Sequence, residues 1–152
     1  MRAVIQRVTE ASVSWNGGQS EIGPGYCILL GVAETDEPRD AEYLADKILK
    51  LRVFSDDAGK FNLSAQQVKA DFLVISQFTL FADAHGQNRP SFLHAARPEL
   101  GMPMLERFID RLRGSGLRVE TGSFGAQMLV RINNDGPVTI VLSTDPWEPR
   151  IG

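Results

Sequence analysis

The sequence of 152 residues holds one cysteine, Cys27, so no disulfide can close within the chain, and the Cys/His spacings of small zinc modules are missing. Histidine is scarce too, with only His85 and His94. There is no H-E-x-x-H, no G-x-S-x-G and no glycine loop with phosphate-binding spacing, which removes the familiar zinc, serine and nucleotide signatures. The longest apolar run, residues 26–33, falls far short of the ~20 residues a helical membrane span needs. The opening MRAVIQRVTE alternates polar and apolar residues instead of setting a basic stretch before an apolar block, so no secretory leader is predicted and the cytoplasm is the expected location. An excess of positive charge is also lacking. Against 16 Lys and Arg stand 19 Asp and Glu, a net charge of −3, which argues against a strong grip on long stretches of nucleic acid backbone.

What is present reads as one soluble domain over residues 1–152, with 43% hydrophobic and 23% charged residues and no repeat or linker. A chain of this size buries roughly 70% of its unfolded surface and needs no staples. Residues 2–9 alternate, with Ala3, Ile5, Arg7 and Thr9 on one face and Arg2, Val4, Gln6 and Val8 on the other, which is strand periodicity. Residues 11–15 read as the partner strand, with turns at Asn16-Gly17-Gly18 and Gly23-Pro24-Gly25. Residues 26–33 read as a strand buried on both faces. A helix is expected over 38–51, from the stripe Ala41, Leu44, Ala45, Ile48, Leu49, with Pro38 in its first turn. An internal strand is expected over 71–81, a loop over 82–91, and a helix over about 103–113 that ends at Gly114-Ser115-Gly116. Strand-like stretches at 117–121, 126–133 and 138–143 complete an α+β fold: a curved, barrel-like, mainly antiparallel sheet with two main helices, mostly joined by hairpins.

Few residues are candidates for chemistry. Cys27 lies in the apolar strand, where burial raises a thiol pKa, and the two histidines sit in a loop region without carboxylates at ligand spacing. Two polar interruptions stand out. In Ser76-Gln77-Phe78-Thr79 buried hydroxyls and an amide need partners, which either sheet-edge bonding or a pocket wall supplies. Strict alternation separates Ser76 from Gln77 and Thr79, so Ser76 and Thr79 serve one site only if the strand bulges or ends there. The second interruption, Asn134-Asp135-Gly136-Pro137-Val138-Thr139, reads as a hairpin turn, or as a rigid turn that aims two carbonyl oxygens in a fixed direction. Arg7 is a charge on an apolar face. It needs a partner carbonyl or carboxylate unless it snorkels at the strand end.

The combination resembles the D-aminoacyl-tRNA deacylase family. The resemblance is carried by MRAVIQRVTEASV, SQFTLF, Asn88-Arg89-Pro90-Ser91-Phe92, the stretch from Thr121 to Met128, and NDGPVT, and so covers nearly the whole chain. It implies a homodimer with its active site at the subunit interface. The implied reaction is hydrolysis of the ester between a D-amino acid, or glycine, and the 3′-terminal adenosine of tRNA, with no metal and no cofactor. By the same resemblance Gly136-Pro137 is a cis pair that enters the partner's pocket and excludes L-amino acids with its carbonyls, and Arg7 braces it. Ser76, Gln77, Phe78 and Thr79 match the pocket strand, and Phe124 and Met128 line the same site. The run Ala84-His85-Gly86-Gln87 is less basic than the family pattern.

An aminoacyl ester is an activated bond, so its hydrolysis asks for a placed water and oxyanion donors more than for a strong nucleophile. Thr79 has no base near it in sequence, which favours positioning over covalent catalysis, with the ribose 2′-hydroxyl assisting as the family resemblance implies. Two other readings remain open at this level. One is a binding module whose Ser76, Gln77 and Thr79 only satisfy the sheet; the other is an esterase using Cys27 or a histidine. With no basic stripe in the sequence, RNA is expected to be held at its 3′ end, with Arg89 and Arg131 adding a few phosphate contacts.

Overall fold

The computed structural model describes residues 1–146. The chain runs from β1 (Arg2–Trp15) through β2 (Gly18–Ile22) and β3 (Gly25–Gly31) into α1 (Pro38–Lys50). It continues through β4 (Phe54–Ser55), β5 (Phe61–Leu63) and the single-turn helix α2 (Ala65–Val68) into β6 (Asp71–Ser76). A 3-10 turn over Phe78–Phe81, α3 (Pro98–Arg113), β7 (Val119–Thr121) and β8 (Met128–Ser143) follow.

The long first strand organises the sheet. Residues 2–9 and 11–15, expected to pair with one another, are successive halves of β1, and the predicted Asn16-Gly17-Gly18 turn leads into β2 as the true partner. One edge of β1 pairs antiparallel with β3 along residues 2–8 and with β2 along residues 11–15. Its other edge pairs antiparallel with β8 along almost the whole length. The sheet order is β2-β1-β3-β6-β7, with β8 closing on β1.

The α+β class and the two main helices, α1 and α3, are as expected, and the barrel-like sheet is mixed. The β3/β6 and β6/β7 pairs are parallel. Reading neighbours as hairpins missed them, because α1 and α3 each carry the chain back to the end from which the preceding strand began. Helix α3 begins at Pro98, ahead of the expected start, and holds Pro103 in its interior.

Packing makes these elements. Ala3, Ile5, Tyr26, Ile28, Leu30, Phe72 and Val74 from the sheet bury against Ala41, Leu44, Ala45 and Ile48 of α1 and Met104, Phe108 and Leu112 of α3. Burying a Leu or Ile side chain stabilises by about 1.5–3 kcal/mol, several times the propensity differences along a helix, so the apolar stripe decides where α1 forms. The opposite face collects Val8, Ala11, Val13, Ile22, Cys27, Leu73 and Ile75, with Trp15, Met128, Val130 and Ile132 partly buried on them. Between the helices Arg111 grips Asp46 with two bonds of 2.7 and 2.8 Å, and these hold the Asp46 carboxyl below its usual range. No helix among the described residues is long and apolar enough to cross a membrane.

Candidate active site

Strand β6 stops at Ser76, so the expected strand over 71–81 is in fact a strand followed by a turn. This ending removes the alternation that would have kept Ser76 and Thr79 apart. Gln77 N donates to Leu30 O at 2.8 Å, and the chain then folds into the 3-10 turn, where the Gln77 amide donates to the Thr79 hydroxyl. The turn is fastened from below. Arg2 donates to Leu80 O at 3.0 Å and lies 4.2 Å over the Phe81 ring, while its far end meets Asp145 at 3.0 Å. Gly31 gives the turn room, because a Cβ there would lie 3.0 Å from Gln77 O and 3.0 Å from the Phe81 ring. Arg2 and Gly31 were not singled out from sequence; a glycine inside a strand was the available signal for close backbone approach.

Ser76 lines a cleft of about 150 Å³, together with Val74, Thr121, Ser123, Phe124 and Glu106. Met128 backs its wall, since its sulfur would lie 2.5 Å from a Cβ on Gly122. Phe78 is 57% exposed and meets Phe92 of the following loop edge-on at 5.1 Å. Thr79 is exposed, and among the described residues Gln77 is the only side chain bonded to its hydroxyl. A neutral amide cannot take up a proton at ordinary pH, so among the described residues no general base is bonded to Thr79.

The second candidate region is a bulge in β8. Its arms pair with β1 at Val8↔Asn134 and Gln6↔Thr139, so five steps along β8 match two along β1 and the residues between loop outward. The expected hairpin at Asn134–Thr139 is therefore absent, since both flanks run in one direction along the same partner. Asn134 pins the base of the loop: its Oδ1 accepts from Val138 N at 2.7 Å and its amide donates to Val138 O at 3.2 Å. The Gly136-Pro137 peptide is cis. Gly136 has φ +146, and a Cβ there would stand 2.6 Å from Val138 Cγ2, so any other residue is strained at this position.

Arg7 holds the loop from inside. It is 8% exposed, and the partners it needed are two carbonyls: Nε donates to Asp135 O at 3.0 Å and Nη1 to Val53 O at 2.7 Å. The Asp135 carboxylate lies 3.6 Å away and the Phe61 ring 5.4 Å, so the guanidinium is fixed rather than snorkelling. The neighbouring Tyr26 hydroxyl is buried and finds no hydrogen-bond partner among the described residues. Burial pushes its pKa above the ordinary value, and Arg7 pulls the other way.

Within one chain the two halves stay apart. The bulge lies beside Arg7, in register with Tyr26 and Phe72, whereas Ser76 is in register with Leu30 and Ala3. Four residues along the strands and three strand spacings across them separate the two by about 20 Å measured along the sheet. The structure thus groups Ser76, Gln77, Phe78, Thr79 and Phe124 at one end, with Met128 behind them, and Arg7 with Gly136 and Pro137 elsewhere. Cys27 is buried, and burial pushes its thiol up to about 12, which leaves it protonated and inert. His85 and His94 are exposed and neither lines the Ser76 cleft; Arg89 and Arg131 are exposed as well.

Comparison with known proteins agrees with this architecture. The sequence profile of the family described as D-Tyr-tRNA(Tyr) deacylase matches residues 4–143. A D-aminoacyl-tRNA deacylase of Dehalococcoides mccartyi is 53% identical over 152 residues, covering 99% of each chain. One from Chloroflexus aurantiacus is 54% identical over 145 residues, covering 95% of this chain and 91% of the relative. Among solved structures, a c-Myc DNA unwinding element binding protein superposes with a TM-score of 0.88 at 43% identity, over 95% of this chain and 99% of that one. A probable eukaryotic D-amino acid tRNA deacylase shares the fold, with a TM-score of 0.81 at 16% identity over 93% of this chain and 97% of its own. From a profile match spanning the bulge, the Ser76 strand and Arg7, and relatives about half identical end to end, it follows that this chain belongs to the D-Tyr-tRNA(Tyr) deacylase family.

Proposed function

We propose that this chain is a D-aminoacyl-tRNA deacylase, a hydrolase of the ester that joins a D-amino acid to the 3′-terminal adenosine of tRNA. The observation that carries the reading is 53% identity to a protein of that name over 99% of the chain. The geometry supports a site shared between two copies. Bulge and Ser76 turn are too far apart to face one substrate in one chain, and a homodimer that sets the bulge of one copy over the cleft of the other joins them. Such a soluble editing enzyme works where tRNA is charged, in the cytoplasm.

In this arrangement the exposed Gly136-Pro137 backbone forms one wall of the pocket. A wall of fixed carbonyls rejects by collision whatever side chain an L-amino acid points at it, so it sorts by chirality without recognising the side chain. Glycine has no side chain to collide, so the same wall admits glycyl-tRNA. Ser76, Gln77 and Thr79 place the water and the ester, and Phe78, Phe124 and Met128 contain the aminoacyl-adenosine. Because no base among the described residues is bonded to Thr79, the ribose 2′-hydroxyl of the substrate activates the water.

The test is single-turnover hydrolysis of matched D-, L- and glycyl-tRNA, each with and without a 2′-deoxy terminal adenosine. The D- and glycyl-esters are expected to be released and the L-ester spared. The 2′-deoxy substrates should slow by about 10²–10⁴-fold, the usual worth of a positioned acid–base group. Ser76→Ala and Thr79→Ala should retain hydrolysis within about tenfold of the parent. An acyl group trapped on Thr79 would overturn the mechanism, and equal release of the L-ester would overturn the filter.

A further inference from the structure

The net charge of −3 hides an uneven surface. On α1, Tyr43, Lys47 and Lys50 stand at i, i+4 and i+7, the spacing of one helix face, and all three are exposed. Tyr43 is 63% exposed, among the large hydrophobic side chains left on the surface. These residues, with Leu51 and Arg52, line an open depression of about 390 Å³. No ion pair among the described residues engages Lys47, Lys50 or Arg52. The one acid in the depression, Asp46, takes two bonds from Arg111, and the charge of Lys50 nearby helps hold its carboxyl below the usual range. Arg52 donates to the Asn62 carbonyl at 2.8 Å, which orders its guanidinium without neutralising it.

The depression also has a definite address. Arg52 precedes Val53, whose carbonyl holds Arg7, and Asn62 follows Phe61, whose ring lies beside the same guanidinium. A continuous track of cations and exposed rings thus leads away from the Gly136-Pro137 bulge: Phe61, Arg52, Lys50, Lys47, Tyr43. Three cations flanked by an aromatic ring at either end suit a nucleic acid strand, whose phosphates pair with the cations while its bases or riboses stack on the rings.

We infer that this track is a docking surface for the acceptor stem of tRNA, which it holds as the 3′ end passes to the pocket beside the bulge. The inference rests on the deacylase reading above, and it adds where the body of the RNA lies. It also reconciles an acidic protein with an RNA substrate: a few cations outside any ion pair, gathered in one place beside the bulge, replace a general basic surface.

The experiment compares the parent with Lys47→Gln/Lys50→Gln, with Tyr43→Ala, and with Arg39→Gln as a charge control in the first turn of the same helix, about 12 Å along its axis from Lys47. Binding of uncharged tRNA is measured against salt, and kcat/KM is measured on D-aminoacyl-tRNA and on the D-aminoacyl ester of adenosine alone. The double variant is expected to weaken tRNA binding by about tenfold at low salt and to lower the slope of log K against log salt by about one for each lysine. Its kcat/KM ratio of tRNA over adenosine ester should fall by a similar factor, carried by KM. Tyr43→Ala should weaken binding several-fold at an unchanged slope, and Arg39→Gln should leave the slope alone. Parental slope and affinity in both the double variant and Tyr43→Ala, with melting curves intact, would overturn the docking surface. So would loss of binding to anionic vesicles without loss towards tRNA, which would assign the track to a lipid surface. If the parent hydrolyses neither D-ester, the deacylase reading fails on its own, and the tRNA-binding measurements still decide the track.

Discussion

At the scale of single residues, Arg7 is one buried charge that anchors the bulge proposed above as the chirality filter. Its guanidinium ties the carbonyl of Val53, 46 positions away, to that of Asp135, 128 positions away, and so fixes the root of the bulge to the body of the protein. Arg7→Met keeps the length of the side chain and removes both donors, leaving two carbonyls short of partners. The expected cost is about 2–3 kcal/mol of folding stability, read from the denaturant midpoint. The larger effect is expected on selectivity: hydrolysis of L-aminoacyl-tRNA should rise relative to the D-ester as the loop loses its fixed direction. Arg7→Lys should fall between, because one ammonium cannot reproduce the planar fork that reaches two carbonyls. A variant that loses D-activity while still sparing the L-ester would remove Arg7 from the filter. Sequence marked Arg7 as a charge in need of a partner. The family resemblance pointed it to the Gly136-Pro137 loop, but the Val53 carbonyl was not legible, because a backbone oxygen carries no residue-specific signal.

Among the elements, the Ser76 turn depends on its close approach to a residue that has no side chain. Gly31 lies at the end of β3, and the 3-10 turn sits so close above it that a methyl group would meet Gln77 O and Phe81 at 3.0 Å and Leu80 Cβ at 3.2 Å. Gly31→Ala is expected to lift the turn by a few tenths of an ångström at a cost of about 1–2 kcal/mol, within the range of mild overpacking. The fold should survive, while kcat for the D-ester should fall more than KM rises, because Gln77 and Thr79 are displaced from the position that places the water. Unchanged kcat with a lowered melting temperature would make the contact purely structural. The same region shows what periodicity can and cannot reveal. The apolar run that opens β6 was legible, as were the stripes of α1 and α3, since each depends on residues a few positions apart. The stop at Ser76 was not legible, because Leu30, Gly31 and Arg2, which impose it, come from other strands. The β8 bulge was misread for a related reason: Gly136-Pro137 reads locally as a turn, and only a partner as long as β1, engaging both arms, makes it an interruption in one strand.

At the scale of the whole molecule, bulge and cleft lie about 20 Å apart along the sheet of one copy, and the proposed shared site requires them to meet. If each site takes its cleft from one copy and its filter from the other, selectivity can be passed between chains. Ser76→Phe fills the cleft and should abolish hydrolysis while leaving its own bulge sound. A Gly136→Ala chain keeps its cleft but distorts its bulge, through the strained φ and the 2.6 Å approach to Val138, and should hydrolyse both D- and L-esters. After subunit exchange with excess Ser76→Phe, each open cleft faces an intact bulge contributed by the inactive partner. The L-to-D ratio should then fall towards that of the parent as inactive protein is added, although no active chain has been repaired. Should the filter act within its own chain, the ratio would stay constant at every mixing proportion, since the open cleft would always carry its own damaged bulge. The readout is a ratio of two rates from one sample, so partial exchange or some unfolded protein reduces the amplitude without changing the sign.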